Sequence, residues 1–230
     1  MFRHLNLPFP TRPDVSIFDD CLGYDILFVN EETNFKIIYA DKDYETYRGE
    51  EYDKIVKLKH DLRFEFQDEF EGWFKKEYSS MGIQALFGGI SVTRPHGANT
   101  IHSDSHAIGD FSRTKINFTF ADYNSKLEYF KPLPERIYQY KDDTGCVSSC
   151  IDEKDCEILD VLKYESMYPT LLDTRQFHRR NNRPCKTTSV VMSYNIRDMD
   201  GKFIDFKTAE TIFQDILIPK DCKINLLSDI

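Results

Sequence analysis

The sequence has no apolar run approaching the roughly 18–20 residues that a membrane-spanning helix needs. Its start holds no long apolar stretch and no small-residue cleavage site, so we expect no signal peptide. Basic residues are in the minority, because Lys and Arg number 30 against 39 Asp and Glu, and the net charge is -9. That charge disfavours nonspecific binding to nucleic acid or anionic lipid. Together these absences predict a soluble, cytoplasmic protein.

Cysteine is sparse, with six residues in a chain of 230. In an intracellular protein we interpret them as thiols rather than as a disulfide framework. The spacing of Cys146, Cys150 and Cys156 also admits a structural metal, but zinc sites usually show two close cysteine pairs or cysteine with histidine. No histidine is near these three in sequence, so thiols are favoured. The six are Cys21, Cys146, Cys150, Cys156, Cys185 and Cys222.

Internal repeats and low-complexity tracts are absent as well, and 230 residues suit one domain with one core. Aromatic residues make up 14% of the chain and supply large apolar surfaces for that core. Short strands are predicted at 24–29 and 34–40. Between residues 50 and 80, apolar side chains recur three and four positions apart, and no glycine or proline intervenes before Gly72. This pattern predicts one long or two shorter amphipathic helices.

After Gly82 the apolar period shortens to two, which is typical of strands. The predicted strands are 83–92, 114–120, 127–130, 157–164 and 187–196, followed by a short helix at 207–217. The charged, turn-rich segment 132–155 is predicted to be a long surface loop or an insertion. The fold class is therefore α+β with a mainly β core, in which helices pack outside a β-sandwich or double-stranded barrel. Within the single domain 1–230 we distinguish a supporting α/β section 1–82, a β core 83–197 and a C-terminal extension 198–230.

The sharpest chemical feature is His102-Ser103-Asp104, together with His178 much further along the chain. At a strand end, a His-x-Asp spacing points both side chains to one side, and a distant strand supplies the second imidazole. Two imidazoles and one carboxylate form the facial triad of non-haem Fe(II), which leaves adjacent coordination positions open. The alternative is that both histidines are hydrogen-bonded core residues. His106 continues the spacing of two and is a further candidate ligand.

Four short segments, in order, carry a family resemblance. They are Arg94-Pro-His-Gly97, Arg113-Thr-Lys-Ile-Asn-Phe-Thr-Phe120, Leu172-Asp-Thr-Arg-Gln-Phe-His-Arg-Arg-Asn-Asn182 and Thr188-Ser-Val-Val-Met-Ser-Tyr194. Around the His-x-Asp they resemble the 2-oxoglutarate- and Fe(II)-dependent dioxygenases, particularly compact bacterial and phage members. The resemblance covers roughly residues 83–197. It implies a double-stranded β-helix, the jelly-roll that is also called cupin-like.

The resemblance further implies that His102, Asp104 and His178 are catalytic and hold Fe(II). Iron would bind 2-oxoglutarate through its keto and C1 carboxylate oxygens, and oxygen would drive its decarboxylation to succinate. Hydroxylation of a substrate is the usual outcome. The protein's part is to position the reactants and exclude water. The substrate itself is left open, from a small metabolite to a peptide or a nucleotide.

The expected cation for the far carboxylate of 2-oxoglutarate is missing. Relatives place an arginine about nine to eleven residues after the distal histidine, where its fork grips a carboxylate. Here Ser189 stands at that position. Some relatives instead use a lysine on the strand after His-x-Asp, so we put Lys115 first and Lys186 second, with Arg183 and Arg197 behind them.

Further cosubstrate contacts are predicted on neighbouring strands. Lys115, Asn117 and Thr119 alternate with apolar residues and form one polar face, which lines the cavity or faces water. In the first case Asn117 would bind the cosubstrate. Tyr129 is a candidate hydrogen-bond partner of the cosubstrate, and a packing role is its alternative.

A basic island stands out in this acidic chain, at Arg175, Arg179, Arg180 and Arg183. It suits an anionic substrate, such as a nucleotide or nucleic acid. We favour a solvated loop paired with nearby acids. Beside the dioxygenase, two other functions stay open. One is a metal-dependent jelly-roll enzyme that does not use 2-oxoglutarate, and the other is a non-catalytic jelly-roll that binds a partner.

Overall fold

In the computed structural model of the chain, the residues described are 2–7, 26–29, 69–93, 95–104, 114–121, 124–141, 147–163 and 168–219. The predicted strand 34–40, the helical segment 50–68, His106 and Cys146 lie outside these ranges. The three predicted metal ligands lie within them.

The described chain contains twelve strands and two α-helices. The first elements are β1 (Phe2–His4), β2 (Ile26–Val29), α1 (69–78), β3 (Ile83–Thr93), β4 (Ile101–Ser103), β5 (Thr114–Phe120) and β6 (Lys126–Pro132). The others are β7 (Tyr138–Lys141), β8 (Val147–Ile151), β9 (Cys156–Lys163), β10 (Thr170–Asp173), β11 (Phe177–Asn181), β12 (Ser189–Asp198) and α2 (Phe206–Ile212).

The strands form two six-stranded sheets in which every pairing is antiparallel. Sheet I has the order β1-β10-β5-β12-β3-β2, and sheet II has the order β7-β8-β4-β11-β6-β9. The protein is therefore a β-rich α+β fold, as the sequence predicts.

Sheet I is apolar on one face and polar on the other, and β5 shows why. Its residues alternate strictly between buried and half-buried, which is the period of a strand between two different environments. Ile116, Phe118 and Phe120 belong to the main core, whereas Lys115 reaches toward sheet II. The polar face predicted for this strand therefore lines the space between the sheets.

The helices cover the apolar face of sheet I. In α1, Phe70, Phe74 and Tyr78 recur four residues apart and are buried in the main core. The ring of Phe70 lies 4.8 Å from Phe118 of β5, centroid to centroid. The helix α2 adds Phe206 and Ala209 to the same core. Aromatic side chains thus do most of the packing between helix and sheet.

The two sheets meet through a smaller apolar cluster. Leu172 of sheet I packs with Leu127, Tyr129 and Leu162 of sheet II, and Phe2 lies against them. The rings of Phe2 and Tyr129 are stacked at 6.1 Å between centroids. This contact holds the sheets together beside the polar space.

The strands predicted after Gly82 are confirmed within a few residues, and β5 begins and ends where predicted. The short helix predicted at 207–217 is confirmed as α2 followed by a 3-10 turn at Gln214–Ile216. The surface loop predicted at 132–155 is wrong, because this segment holds β7 and β8. Tyr138, Gln139 and Tyr140 of β7 are all exposed, so this edge strand shows no alternation.

Candidate metal centre

Two neighbouring strands of sheet II bring the predicted histidines together. His102 of β4 lies directly opposite His178 of β11, and their ring centroids are 4.7 Å apart. Asp104 follows β4, and its backbone N–H donates to the carbonyl of Thr174 at 2.9 Å. That bond ties the end of β4 to the turn before β11, so all three side chains share one end of the sheet.

The donor atoms of the three residues converge. One ligand atom from each of His102, Asp104 and His178 lies within 4.8 Å of the others. The Nε2 atom of His102 is 3.4 Å from Oδ1 of Asp104. Two imidazoles and one carboxylate are the donor set of the facial triad, so the residues present fit a divalent transition metal.

The Nδ1 atom of each imidazole already makes a hydrogen bond to a backbone carbonyl. Nδ1–H of His102 donates to the carbonyl of Thr100, and Nδ1–H of His178 donates to the carbonyl of Gln176, each at 2.8 Å. A carbonyl only accepts, so the proton is on Nδ1 and the lone pair of the neutral ring is on Nε2. Such bonds fix the tautomer and the ring orientation of a metal-ligating histidine.

The local charges favour the metal-binding protonation state at His178 and Asp104, whereas at His102 they favour the protonated ring. Burial, and then the neighbouring His102, lower the pKa of His178 to about 4, so this ring is neutral at pH 7. Burial acts to raise the pKa of Asp104, but the charge of Lys115 and the neighbouring imidazole of His102 outweigh it and hold that pKa well below its usual value. Burial also acts to lower the pKa of His102, and Asp104 outweighs it and raises that pKa.

Lys115 is the predicted anchor that lies nearest to the triad. Its Nζ donates to Oδ2 of Asp104 at 2.6 Å, across the space between the sheets. Asn117 and Thr119 follow on the same face of β5, and Oδ1 of Asn117 and Oγ1 of Thr119 are buried without a hydrogen-bond partner. The polar face of β5 thus presents a cation beside Asp104 and two buried oxygens further along the strand.

Tyr129 also lies beside the triad, on the neighbouring strand β6. It is opposite His178 in the sheet, and the two ring centroids are 6.0 Å apart. The side chain is only 1% exposed and belongs to the apolar cluster between the sheets. Packing is therefore the role that its surroundings show.

Arg180 is not among the anchors predicted from the sequence, and it lies on the same face of β11 as His178. It is 8% exposed. Its Nη1 donates to the carbonyl of Ser91 at 3.2 Å and to Oγ1 of Thr93 at 3.1 Å, both in sheet I. The signal in the sequence that points to Arg180 is its position two residues after His178, since residues two apart in a strand lie on the same face.

The rest of the basic island pairs with acids. Arg179 donates to Glu128 and Glu153 with bonds of 2.7–2.8 Å, and Arg183 donates to Glu153 at 3.4 Å. Arg175 donates to Asp173. The predicted pairing with acids is thus confirmed for these three. The predicted loop is wrong for Arg179 and Arg180, because both lie within β11 and are buried.

The remaining candidate anchors lie elsewhere. Lys186 is exposed and precedes β12, so the structure does not bring it to the triad. Ser189 is the first residue of β12, fully buried opposite Thr93, and its Oγ has no hydrogen-bond partner. The guanidinium of Arg197 lies 4.2 Å from the ring centroid of Phe203 and donates to the carbonyl of Gly201.

The cysteines that are described form no metal site with one another. Cys150, Cys156 and Cys185 are free thiols. Within the described ranges, His102, Asp104 and His178 are the one group of three or more residues with the spacing of a metal site. Burial raises the pKa of the Cys150 thiol, so this side chain is a neutral packing residue at pH 7.

No protein-family model and no curated protein matches the chain. Among solved structures, a distant match is the X-ray structure of E. coli ycfD. The two chains share 11% sequence identity, with a TM-score of 0.36, over 85% of this chain and 48% of ycfD. This chain thus spans about half the length of ycfD. None of the described helices is long and apolar enough to cross a lipid bilayer.

Proposed function

We propose that this protein is an Fe(II)- and 2-oxoglutarate-dependent dioxygenase that hydroxylates its substrate. The observation that carries the proposal is the convergence of His102, Asp104 and His178 within 4.8 Å, with both imidazoles presenting Nε2. A His-x-Asp and a distant histidine on the adjacent strand are the donor set and order of the oxygenases that the sequence resembles.

The fold supports the same proposal. We interpret the two antiparallel sheets, with the triad between them, as a double-stranded β-helix. The polar face of β5 and the buried Arg180 give the inter-sheet space the character of a binding site for a small polar acid, since binding sites place a few polar groups in a largely enclosed cavity. The described helices cover the opposite face of sheet I, away from this space.

Two cations are candidates for the far carboxylate of 2-oxoglutarate, Lys115 and Arg180. Arg180 is two residues from His178 along β11, a distance of about 7 Å. That distance is comparable with the length of a five-carbon diacid. An arginine fork grips a carboxylate with two hydrogen bonds, which suits this task better than a single ammonium.

When bound, iron and 2-oxoglutarate supply the oxidising chemistry, in which oxygen and 2-oxoglutarate yield succinate, carbon dioxide and a hydroxylated substrate. The chain's own residues have simpler tasks. Thr100 and Gln176 orient the imidazoles, Asp104 supplies the anionic ligand, and the apolar cluster at Tyr129 excludes water from one side of the site.

The proposal is tested by adding Fe(II) and then 2-oxoglutarate to the protein without oxygen. We expect a weak visible charge-transfer band from the chelated ferrous complex, and its loss in His178→Ala. His96→Ala is the matched control, because His96 is exposed in a loop. Unfolding curves of both variants check that the fold persists. Absence of iron binding by the wild-type protein would refute the proposal and favour a non-catalytic partner-binding protein.

A second candidate is a metal-dependent enzyme of the same fold that does not use 2-oxoglutarate. The observation that favours it is Ser189, a buried hydroxyl at the position where relatives carry the anchoring arginine. In the same titration this enzyme would bind iron and show no band with 2-oxoglutarate.

A further inference from the structure

The two oxygens of Asp104 have different surroundings. Oδ1 lies 3.4 Å from Nε2 of His102, on the side of the triad. Oδ2 lies 2.6 Å from Nζ of Lys115, on the side of sheet I. Both side chains are largely shielded from water, with 20% of Lys115 and 14% of Asp104 exposed. One oxygen is thus turned toward the imidazoles and the other is held by an ammonium.

The position of Lys115 is firmly set by its strand. β5 lies between β10 and β12, and Lys115 is opposite Leu172 on one side and Asn195 on the other. Its neighbour Ile116 is fully buried in the main core. The ammonium therefore belongs to sheet I, whereas Asp104 belongs to sheet II, and their bond crosses between the sheets.

We propose that Lys115 is a positioning residue that makes Asp104 a one-oxygen metal ligand. This inference rests on the metal centre of the proposed function. An ammonium that donates to Oδ2 competes with a metal ion for that oxygen and leaves Oδ1 as the metal-binding atom. A carboxylate that binds through both oxygens takes up one more coordination position. Lys115 thus keeps that coordination position open, so that a chelating cosubstrate and a further ligand can bind the metal at the same time.

A positioning role and an anchoring role for Lys115 predict different effects on metal binding and on cosubstrate binding. As an anchor, Lys115 would contact the far carboxylate of 2-oxoglutarate and have no effect on metal binding. As a positioning residue it acts on the metal through Asp104 and is indifferent to the far carboxylate. The two roles differ most clearly with pyruvate, a keto acid that chelates through the same oxygens but has no far carboxylate.

The test replaces Lys115 and uses Co(II), whose visible absorption reports its coordination number. We expect Lys115→Met to bind Co(II) about tenfold more tightly, because a positive charge is removed from beside a cation. The Co(II) absorption weakens as Asp104 takes a second coordination position. Binding of 2-oxoglutarate and of pyruvate weakens by similar factors. Lys76→Met is the matched control, since Lys76 is 82% exposed on α1.

Two further variants keep the test valid if Lys115→Met is poorly folded. Lys115→Arg retains the charge and is expected to behave like the wild-type protein. Lys115→Gln retains a hydrogen-bond donor without the charge and is expected to show the tighter Co(II) binding. Unchanged or weaker Co(II) binding in Lys115→Met and Lys115→Gln would overturn the inference. Selective loss of 2-oxoglutarate with pyruvate binding retained would overturn it too, by identifying Lys115 as the anchor. Failure of the wild-type protein to bind Co(II) would instead contradict the proposed function.

Discussion

At the scale of single residues, two adjacent arginines of β11 show how side-chain direction assigns a role. Arg179 points away from sheet I and is buried against Glu128 and Glu153. Arg180 points into the inter-sheet space, where it meets Thr93 of sheet I. Successive residues of a strand face opposite sides. The same residue type therefore neutralises acids at one position and faces the space proposed for an anionic ligand at the next.

Replacing Arg180 is expected to weaken the binding of 2-oxoglutarate and leave the binding of pyruvate unchanged. In Arg180→Met we expect 2-oxoglutarate binding to weaken about 10- to 100-fold, because a hydrogen bond to a charged group contributes about 1.5–3 kcal/mol. Pyruvate and Co(II) binding are expected to be unchanged. Arg136→Met is the control, since Arg136 is exposed. Equal weakening of both keto acids, measured by competition titration, would exclude Arg180 as the anchor.

The candidate site can be predicted from the sequence in part. His-x-Asp and the distant histidine are recognisable because a metal needs particular donors at a particular spacing. The strand alternation of β5 also places Lys115 on a polar face. Arg180 cannot be identified from the sequence as a candidate anchor for the carboxylate. That role depends on sheet I lying opposite β11, and the sequence pattern does not show this contact. Nor does that pattern show that Lys186 is exposed before β12 begins.

At the scale of elements, a strand with one buried and one half-buried face is the easiest to predict from the sequence. β5 is the clearest case, with strict alternation over its whole length. The edge strand β7 is harder to predict, because its first three residues are all exposed. Exposure on both faces removes the periodic signal of β7, and the pattern therefore predicts a loop where β7 pairs with β8.

The packing of α1 on sheet I is expected to depend on Phe74. This side chain is buried against Phe70, Tyr78 and Phe213, which joins α1 to the region of α2. Phe74→Ala is expected to lower the free energy of unfolding by about 3–5 kcal/mol, since it leaves a cavity among aromatic rings. Denaturant unfolding measures this. Met81→Ala is the control at a site that is 58% exposed, where a change below about 0.5 kcal/mol is expected.

The ion pairs on the outer side of sheet II are expected to give a pH-dependent contribution to stability. The hydrogen bond from Arg179 is the main cause that lowers the pKa of Glu153 to about 2 from 4.5. A lowered folded-state pKa stabilises the fold above the unfolded value, and this stabilisation is lost as the pH falls from about 4.5 through about 2.

Glu153→Gln removes that contribution. We expect it to lower the free energy of unfolding at pH 7 by about 1 kcal/mol or less, because Glu153 is half exposed and screened by water. The difference from the wild-type protein should shrink between pH 4.5 and 2. Urea unfolding at several pH values measures it, and a difference that is constant with pH would contradict the assignment to this ion pair.

At the scale of the whole molecule, the two faces of sheet I divide the tasks. The apolar face packs on α1 and α2 and forms the main core. The opposite face meets sheet II through a small apolar cluster and otherwise presents polar groups. Under the proposed function, stability and ligand binding therefore depend on different faces of one sheet. Substitutions such as Phe74→Ala are expected to affect unfolding without altering the donor geometry at His102 and His178.

The order of strands also has a consequence for how fast the protein folds. Among the strands described, only β2 with β3 and β7 with β8 pair with the next strand along the chain. The histidine-bearing strands β4 and β11 are neighbours in space, yet the described strands from β5 to β10 lie between them in sequence. Folds dominated by such distant pairings fold in about milliseconds to seconds. We expect the three candidate metal ligands to come together late on the folding pathway, because this contact closes a long stretch of chain. We expect bound Co(II) to slow unfolding and leave the refolding rate unchanged in a chevron plot.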